Sequence, residues 1–173
     1  DGFIINLKEG KMLENLQINK KIGFQFGKDW YNSFTKWLNK DKDIQLIVSI
    51  PTTSPLRKVS DIDNCIKHAI KKKSDIVFTV ANSIKNPYFN MIKIKNKKIS
   101  LVCSMKNKIY RRQDAPKCFD LTTVCYAFRP NYILKKNNLF EGKTGFVTVP
   151  KIRAIDIDDI TDYKIAKILA KIK

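Results

Sequence analysis

The sequence predicts one α/β domain with a central sheet. Its 173 residues suit a single hydrophobic core, and an apolar share of 43% is large enough to fill that core. Residues 45–80 follow the order strand, loop, helix, strand, which is typical of a right-handed parallel crossover. Residues 88–103 instead alternate apolar and polar side chains, as an antiparallel hairpin does. Together these patterns indicate an α/β fold over the whole range 1–173.

The crossover unit begins with a buried strand over 45–50, which leads into a proline-bracketed, hydroxyl-rich loop over 51–57. We predict Ser60 as the N-cap of the next helix, because a serine side chain accepts hydrogen bonds from the first turn. The helix is expected to bury the stripe Ile62, Ile66, Ala69 and Ile70. A strand over 75–80 completes the unit. Ligands of such sheets bind at the loops after the carboxyl ends of the strands, so the 51–57 loop is a candidate site.

The other predicted elements are short. Before the crossover unit we expect a strand over 3–7, a short helix over 11–16 and an amphipathic helix over 29–38. After it we expect a hairpin turning at Asn96-Lys97, a strand over 122–128, a helix over 130–136, strands over 146–149 and 154–157, and a helix over 159–172. That last helix should face inward with Ile160, Ile165, Ile168, Leu169 and Ile172.

The composition excludes several classes of function. The net charge of +18 comes almost entirely from dispersed lysines, with five arginines, so we expect no specific nucleic-acid binding. Four cysteines without a CxxC pair, and a single histidine, His68, make structural zinc improbable. No apolar run approaches the length of a membrane span. These features, with no recognisable export signal, predict a cytoplasmic protein without membrane partners.

Two groups of residues are candidates for chemistry. Asp156 and Asp158 would point to the same side of a strand, and paired carboxylates suit Mg²⁺ with substrate phosphates. The alternative is that Asp158, Asp159 and Asp162 lie where the last helix begins and only stabilise its dipole, without a metal. Basic side chains at Arg111, Arg112 and Lys117 are suited to holding a carboxylate or phosphate, or else belong to a solvated loop.

The order of several motifs along residues 45–172 resembles the acylneuraminate cytidylyltransferases, also called CMP-sialic acid synthetases. The motifs are Thr-Ser-Pro-Leu-Arg, a helix with Asp-Ile-Asp, Asp-Ile-Val-Phe-Thr-Val, Asn-Pro-Tyr-Phe, Arg-Arg-Gln-Asp-Ala-Pro-Lys and Arg-Ala-Ile-Asp-Ile-Asp. The resemblance implies a three-layer, Rossmann-like sandwich of the nucleotide-diphospho-sugar transferase type. It also implies a homodimer formed through an arm over about 85–117.

The resemblance further implies an activity, a cofactor and a set of site residues. The family transfers CMP from CTP to the anomeric hydroxyl of an acidic nine-carbon sugar, with Mg²⁺, and releases pyrophosphate. By motif, Asp156 and Asp158 would hold Mg²⁺, and Arg112 with them would form the catalytic set. The substrate-binding set carried over from the motifs is Thr53, Ser54, Arg57, Arg111, Gln113, Lys117, Tyr126 and Phe140.

The sequence also departs from the family pattern. Pro51 stands where many relatives have Gln, Thr122-Thr123 replaces Asn-Gly, and Leu139 replaces an aromatic residue, so the sugar need not be sialic acid itself. The Gly-rich, basic nucleotide-binding loop that opens the family sequences has no counterpart here, which predicts an N-terminally truncated fold. The chain is then either part of a longer enzyme, or an inactive copy or partner subunit that binds an active relative. A third, weaker hypothesis is anion or nucleic-acid binding through the lysines.

Overall fold

The computed structural model describes residues 2–8, 11–12, 44–105, 109–135 and 139–172. The strands are β1 (Gly2–Lys8), β2 (Lys11–Met12), β3 (Ile47–Pro51), β4 (Ile76–Asn82), β5 (Ile92–Lys95), β6 (Lys98–Leu101), β7 (Phe119–Phe128) and β8 (Thr144–Thr148). The helices are α1 (Val59–Lys72), α2 (Pro130–Lys135) and α3 (Ile160–Leu169). None of these three helices combines the length and the apolar character that a membrane crossing requires.

The central sheet has six strands in the order β2-β1-β3-β7-β4-β8. Strand β7 runs antiparallel to both of its neighbours, β3 and β4, while β8 runs parallel to β4. The predicted crossover from β3 through α1 to β4 is therefore parallel, but the two strands are not adjacent. Strand β7, which comes later in the chain, lies between them. It forms backbone hydrogen bonds with β3 on one side and with β4 on the other.

The sheet buries apolar side chains on both of its faces, which explains why its central strands are almost continuously apolar. The first cluster includes Phe78, Phe128 and Tyr132 and is covered on the side of α2. The second includes Val77, Cys125 and two residues of α1, Cys65 and Ala69. Alternate residues of β4 enter opposite clusters, as the two-residue period of a strand requires.

Helix α1 begins two residues earlier than the sequence indicates. Its N-cap is Lys58, and the predicted cap Ser60 lies inside the first turn. The carboxylate of Asp61, the third helical residue, accepts a hydrogen bond from the Lys58 backbone N–H at 2.9 Å, as the acid of a capping box does. Of the predicted stripe, Ala69 is buried and Ile62 and Ile66 pack against the second cluster, whereas Ile70 is exposed. Asp61 and Cys65 are buried in addition.

The predicted hairpin is confirmed as the pair β5–β6, residues 92–101, here called the hairpin. Its two-residue turn consists of Asn96 and Lys97, which both have positive φ angles, 51° and 62°. Left-handed conformation at both positions belongs to the type I′ turn, whose twist matches that of antiparallel strands. The strand expected over 3–7 is also present, as β1.

Two predictions at the chain's start and end differ from the structure. Residues 11–12 form a strand and not the start of a helix; the rest of that prediction, 13–16, and the helix over 29–38 lie outside the described residues. The last helix buries Ala166, while Ile160, Ile165, Ile168 and Ile172 are 43% to 65% exposed. Leu169 is partly buried, so the expectation that these residues mostly face inward is wrong.

Candidate functional site

The candidate site lies at the edge of the sheet where β3, β4 and β8 end. Because β7 is antiparallel to β3 and β4, its first residues lie at this same edge. The loop over 52–58 leaves β3 here, and the chain after β8 returns here through a 3₁₀ turn, Lys151–Ala154. Residues 155–159, here called the acid segment, follow that turn. Five of the predicted site residues belong to these pieces of chain: Thr53, Ser54, Arg57, Asp156 and Asp158.

Arg57 holds the loop through hydrogen bonds to backbone carbonyls. Its Nε donates to the Ser54 carbonyl at 2.7 Å, and its Nη2 donates to the Pro51 carbonyl. Burial lowers the pKa of the Arg57 guanidinium, an effect opposed by the negative charge of Asp156. The remaining nitrogen, Nη1, is buried without a hydrogen-bond partner among the described residues. Arg57 therefore fixes the loop's conformation and keeps one donor for a further group.

Thr53 and Ser54 join the loop to two other elements. The Ser54 side chain is fully buried, and its hydroxyl lies 2.6 Å from the Thr123 hydroxyl of β7. The Thr53 carbonyl accepts a hydrogen bond from the Ile157 N–H at 2.9 Å, which holds the acid segment against the loop. Both residues were predicted to lie beside the substrate. In the structure they join the loop to β7 and to the acid segment, which are distant from it in sequence.

Thr122 has a structural role. It is buried, and its hydroxyl donates to the Thr79 hydroxyl of β4 at 2.7 Å. The Thr79 oxygen also accepts the Cys125 N–H at 3.1 Å. These bonds lie where the register of β4 against β7 shifts between Phe78 and Val80. An irregular register leaves some backbone groups without a partner on the neighbouring strand, and the Thr79 hydroxyl supplies one for the Cys125 N–H.

The acid segment is not the strand that the sequence predicts. Residues 151–154 form a 3₁₀ turn and 155–158 lack regular structure. Asp158 is exposed, and its N–H donates to an Asp162 carboxylate oxygen at 3.1 Å. Asp159 caps α3 by accepting from the Thr161 N–H at 2.6 Å and the Asp162 N–H at 3.0 Å; such backbone hydrogen bonds lower its pKa. The helix-capping alternative therefore holds for Asp159 and Asp162.

Asp156 differs from its neighbours. It is half-buried, and its Oδ1 is buried without a hydrogen-bond partner among the described residues. Burial raises the pKa of the Tyr126 phenol, and the charge of Asp156 adds to this shift. A buried carboxylate oxygen that lacks a donor is costly unless a cation or ligand supplies one. Asp156 is therefore the acid best suited to a ligand.

No group of three or more His, Cys, Asp and Glu side chains comes together for a metal ion within the described ranges. A metal held by protein ligands alone thus has no support there. The arrangement fits a Mg²⁺ ion that one or two carboxylates share with substrate phosphates, because Mg²⁺ keeps most of its ligands from water and phosphate. The unpaired Oδ1 of Asp156 is the observation that fits such an ion.

The predicted basic residues lie in residues 111–118, here called the arginine turn. Arg112 donates from Nη2 to the Ser83 carbonyl at 3.2 Å, which fixes it beside the end of β4. Arg111 forms an ion pair with Asp114 at 3.0 Å, and both side chains are exposed. Gln113 and Lys117 are exposed as well. The arginine turn therefore offers donors to solvent next to the sheet edge.

The two predicted aromatic residues lie on the first cluster's side of the sheet. Tyr126 is half-buried in β7 and packs against that cluster. Phe140 is 67% exposed, and its ring meets that of Phe78 edge to face at 5.9 Å. Phe140 thus has room to form an apolar wall for a ligand over the sheet.

One ion pair was not anticipated. Arg153 donates from two nitrogens to the two carboxylate oxygens of Asp61, each at 2.9 Å, with side-chain exposures of 23% and 3%. The pair anchors the 3₁₀ turn on α1 immediately before the acid segment. Both residues occur in motifs that the sequence analysis quoted, Asp-Ile-Asp and Arg-Ala-Ile-Asp, but their pairing across 92 positions is not visible in the sequence.

The fold is that of the nucleotide-diphospho-sugar transferases, as predicted. A solved structure of 4-diphosphocytidyl-2C-methyl-D-erythritol synthase from Anaerococcus prevotii superimposes with a TM-score of 0.51. That comparison covers 82% of this chain and 65% of the other at 13% identity. No family model matches the chain.

Two curated proteins confirm the predicted resemblance in sequence. The CMP-N,N'-diacetyllegionaminic acid synthase of Campylobacter jejuni is 35% identical over 97 residues, 56% of this chain and 40% of the relative. The post-translational flagellin modification protein B of Campylobacter coli is 29% identical over 127 residues, 73% of this chain and 53% of the relative. The chain thus spans about half the length of the curated relatives it matches.

Proposed function

We propose that this chain acts in a cytidylyltransferase, which transfers CMP from CTP to the anomeric hydroxyl of an acidic, sialic-acid-like sugar and releases pyrophosphate. The observation that carries the proposal is the buried, unpaired Oδ1 of Asp156 at the sheet edge, held there by the bond from Ile157 to Thr53. The similarity to a relative named for making a CMP-linked acid supports the chemistry. Free, unpaired cysteines support a reducing cytoplasm as its location.

Asp156 and Asp158 are the proposed holders of Mg²⁺, together with the phosphates of CTP. The ion would screen phosphate charge and make the α-phosphate more electrophilic. Asp156 offers a buried oxygen with fixed surroundings, and Asp158 an exposed carboxylate two residues away. The residues of this chain contribute mainly positioning, because phosphoryl-type transfers depend on alignment and charge neutralisation.

The acidic sugar is proposed to bind between the arginine turn and the aromatic wall. A guanidinium pairs well with a sugar carboxylate because it presents two parallel donors. Arg112 is held beside β4 by Ser83, and Arg111 is exposed next to it. Tyr126 and Phe140 would cover the apolar side of the sugar. Hydrogen bonds of Thr53 and Ser54 keep the 52–58 loop in place.

The test uses the full-length protein that contains this chain, with CTP, Mg²⁺ and a panel of nonulosonic acids. We expect pyrophosphate release with at least one acid and CTP, and little release with ATP, GTP or UTP. Asp63→Asn, which removes a half-buried carboxylate of α1 outside the site, is the matched control and should keep the rate. If the folded protein releases no pyrophosphate with any acid, the enzymatic proposal fails, and a partner subunit of an active relative becomes the better account.

The hairpin is the proposed interface of a homodimer. By the pairing register, Ile92, Leu101, Ile94 and Ile99 lie on one face, and they are between 40% and 70% exposed. The opposite face carries Lys93, Lys95, Lys98 and Ser100. A two-stranded hairpin with an exposed apolar face is marginally stable in water, so such a face indicates a protein contact. A second copy of the chain supplies an identical apolar face.

Ile94→Lys combined with Ile99→Lys is expected to convert the dimer into a monomer, because each copy would bury two positive charges against the two of its partner. Sedimentation equilibrium measures the change in mass. Lys95→Ser with Lys98→Ser alters the other face of the same strands and should leave the dimer intact. The interface would be ruled out if the wild-type protein sediments as a monomer, or if the variant with Ile94→Lys and Ile99→Lys stays dimeric.

A further inference from the structure

Asn86 lies where three parts of the chain meet: the end of β4, the hairpin and the arginine turn. We propose that Asn86 is a positioning residue that couples the hairpin to the arginine turn, so that contacts made by the hairpin reach Arg112. In its enzymatic consequence this inference rests on the proposed function. The coupling itself is a property of the fold and is tested without turnover.

Every polar group of Asn86 is engaged, and the residue is buried. Its side-chain Oδ1 accepts from the Tyr88 N–H at 2.9 Å, and its Nδ2 donates to the Pro116 carbonyl at 2.8 Å. Its backbone N–H donates to the Asn90 side chain at 2.6 Å. Its carbonyl accepts from the backbone N–H groups of Phe89, Asn90 and Met91.

These bonds fix the near end of the hairpin. The turn around Asn86 orients Pro87 and Met91, whose carbonyls accept from the N–H groups of Cys103 at 3.0 Å and Val102 at 2.9 Å. The outgoing and returning sides are thus joined at the base of the hairpin. The hairpin cannot tilt as a unit without moving the turn that Asn86 organises.

The same short segment holds the arginine turn. Besides the bond from Asn86 to Pro116, the Ser83 N–H donates to the Cys118 carbonyl at 3.2 Å. Ser83 in turn accepts from Arg112. Residues 83–86 are therefore bonded to both ends of the arginine turn. Of these links, only the bond to Pro116 comes from the Asn86 side chain, which also organises residues 86–91 at the base of the hairpin.

The chemistry of the position requires an amide. One side-chain atom must accept from Tyr88 and another must donate to Pro116, and a carboxylate only accepts. Asn86→Asp keeps the first bond and replaces the second with a repulsion between carboxylate and carbonyl. Protonation of the introduced carboxyl at low pH would restore a donor, which gives the variant an internal rescue.

Hydrogen exchange followed by mass spectrometry tests the coupling. In Asn86→Asp at neutral pH, we expect faster exchange in both 86–91 and 109–118, while β4 and β7 keep their protection. As the pH falls and the introduced carboxyl becomes protonated, protection of 109–118 should return relative to wild type at the same pH. Asn90→Asp, which keeps an acceptor for the Asn86 N–H, is the control and should leave 109–118 unchanged.

If the arginine turn keeps wild-type protection in Asn86→Asp, the two parts are not coupled and the inference is wrong. Loss of protection in β4 and β7 as well would indicate misfolding, and the second variant then decides. Ile94→Lys with Ile99→Lys changes the hairpin without touching Asn86. Coupling predicts altered exchange over 109–118 in that variant, and unchanged exchange there overturns the inference.

Turnover adds a further readout where the proposed function holds. We expect Asn86→Asp to raise KM for the acidic sugar about tenfold, with kcat and the KM for CTP nearly unchanged, because the proposed role of Arg112 is to bind the sugar carboxylate and not CTP. An equal loss in all three constants would contradict a positioning role. If wild-type protein releases no pyrophosphate at all, the proposed function fails, while the exchange experiment still tests the coupling.

Discussion

Replacing Asp156 with asparagine is expected to lower kcat of the CTP-dependent reaction by about a thousandfold, equivalent to about 4 kcal/mol of transition-state stabilisation. Asparagine has nearly the same shape but no charge, so the buried Oδ1 can no longer attract a cation. Asp158→Asn should cost less, because that carboxylate is exposed and its surroundings are less fixed. The double variant should have no measurable Mg²⁺-dependent turnover.

Pyrophosphate release as a function of Mg²⁺ concentration measures this effect. Asp159→Asn is the matched control three positions away: asparagine is an equally good N-cap, so α3 and the activity should both be retained. Turnover that is the same in Asp156→Asn as in wild type would exclude the metal assignment. Equal losses in Asp156→Asn and Asp159→Asn would show that the acid segment matters only for its shape.

Arg153→Met is expected to reduce the free energy of unfolding by about 3 kcal/mol, because it leaves the buried carboxylate of Asp61 without its bidentate partner. The backbone N–H of Lys58 would remain as one donor to Asp61, which is too little for a charge at that depth. Urea-induced unfolding followed by circular dichroism measures the change. Activity should also fall, since the pair anchors the turn that leads into the acid segment.

Two further variants test whether the stability cost of Arg153→Met comes from the burial of Asp61 or from the loss of an ion pair alone. Arg111→Met breaks an exposed ion pair between residues three positions apart and should cost less than about 1 kcal/mol. Asp61→Asn added to Arg153→Met should recover part of the lost stability, because the stranded group is then neutral. If Arg153→Met and Arg111→Met cost the same, the buried pair has no special weight in this fold.

The sequence predicts features that depend on neighbouring residues. The buried strand before the loop, the helix after it and the turn at Asn96-Lys97 each follow from local period and turn chemistry, and the structure has all three. It does not predict that β7 lies between β3 and β4. From local sequence alone, β3 and β4 are two apolar strands that could pair with each other or with a third strand. The pairing of distant segments decides that β7 lies between them.

The acid segment shows the same limit on a smaller scale. Alternation from Ala154 to Ile157 satisfies the strand pattern, yet Arg153 is fixed to α1 and the Ile157 N–H is taken by Thr53. Those two tertiary bonds outweigh local preference and leave the segment irregular. The sequence offers Asp156 and Asp158 as a candidate pair. The helix cap at Asp159, and an Asp156 Oδ1 without a hydrogen-bond partner among the described residues, follow only from the folded chain.

The position of β7 also has a consequence for biosynthesis. As the chain leaves the ribosome, β3 and β4 emerge first, and the strand that joins them follows more than thirty residues after β4 ends. During that interval each has an unpaired edge and an apolar face, which is the state most prone to pair with other chains. The middle of the sheet is closed only after the strands on either side of it, β3 and β4, have both been made. Assembly of this sheet therefore depends on non-local pairing, which is slow.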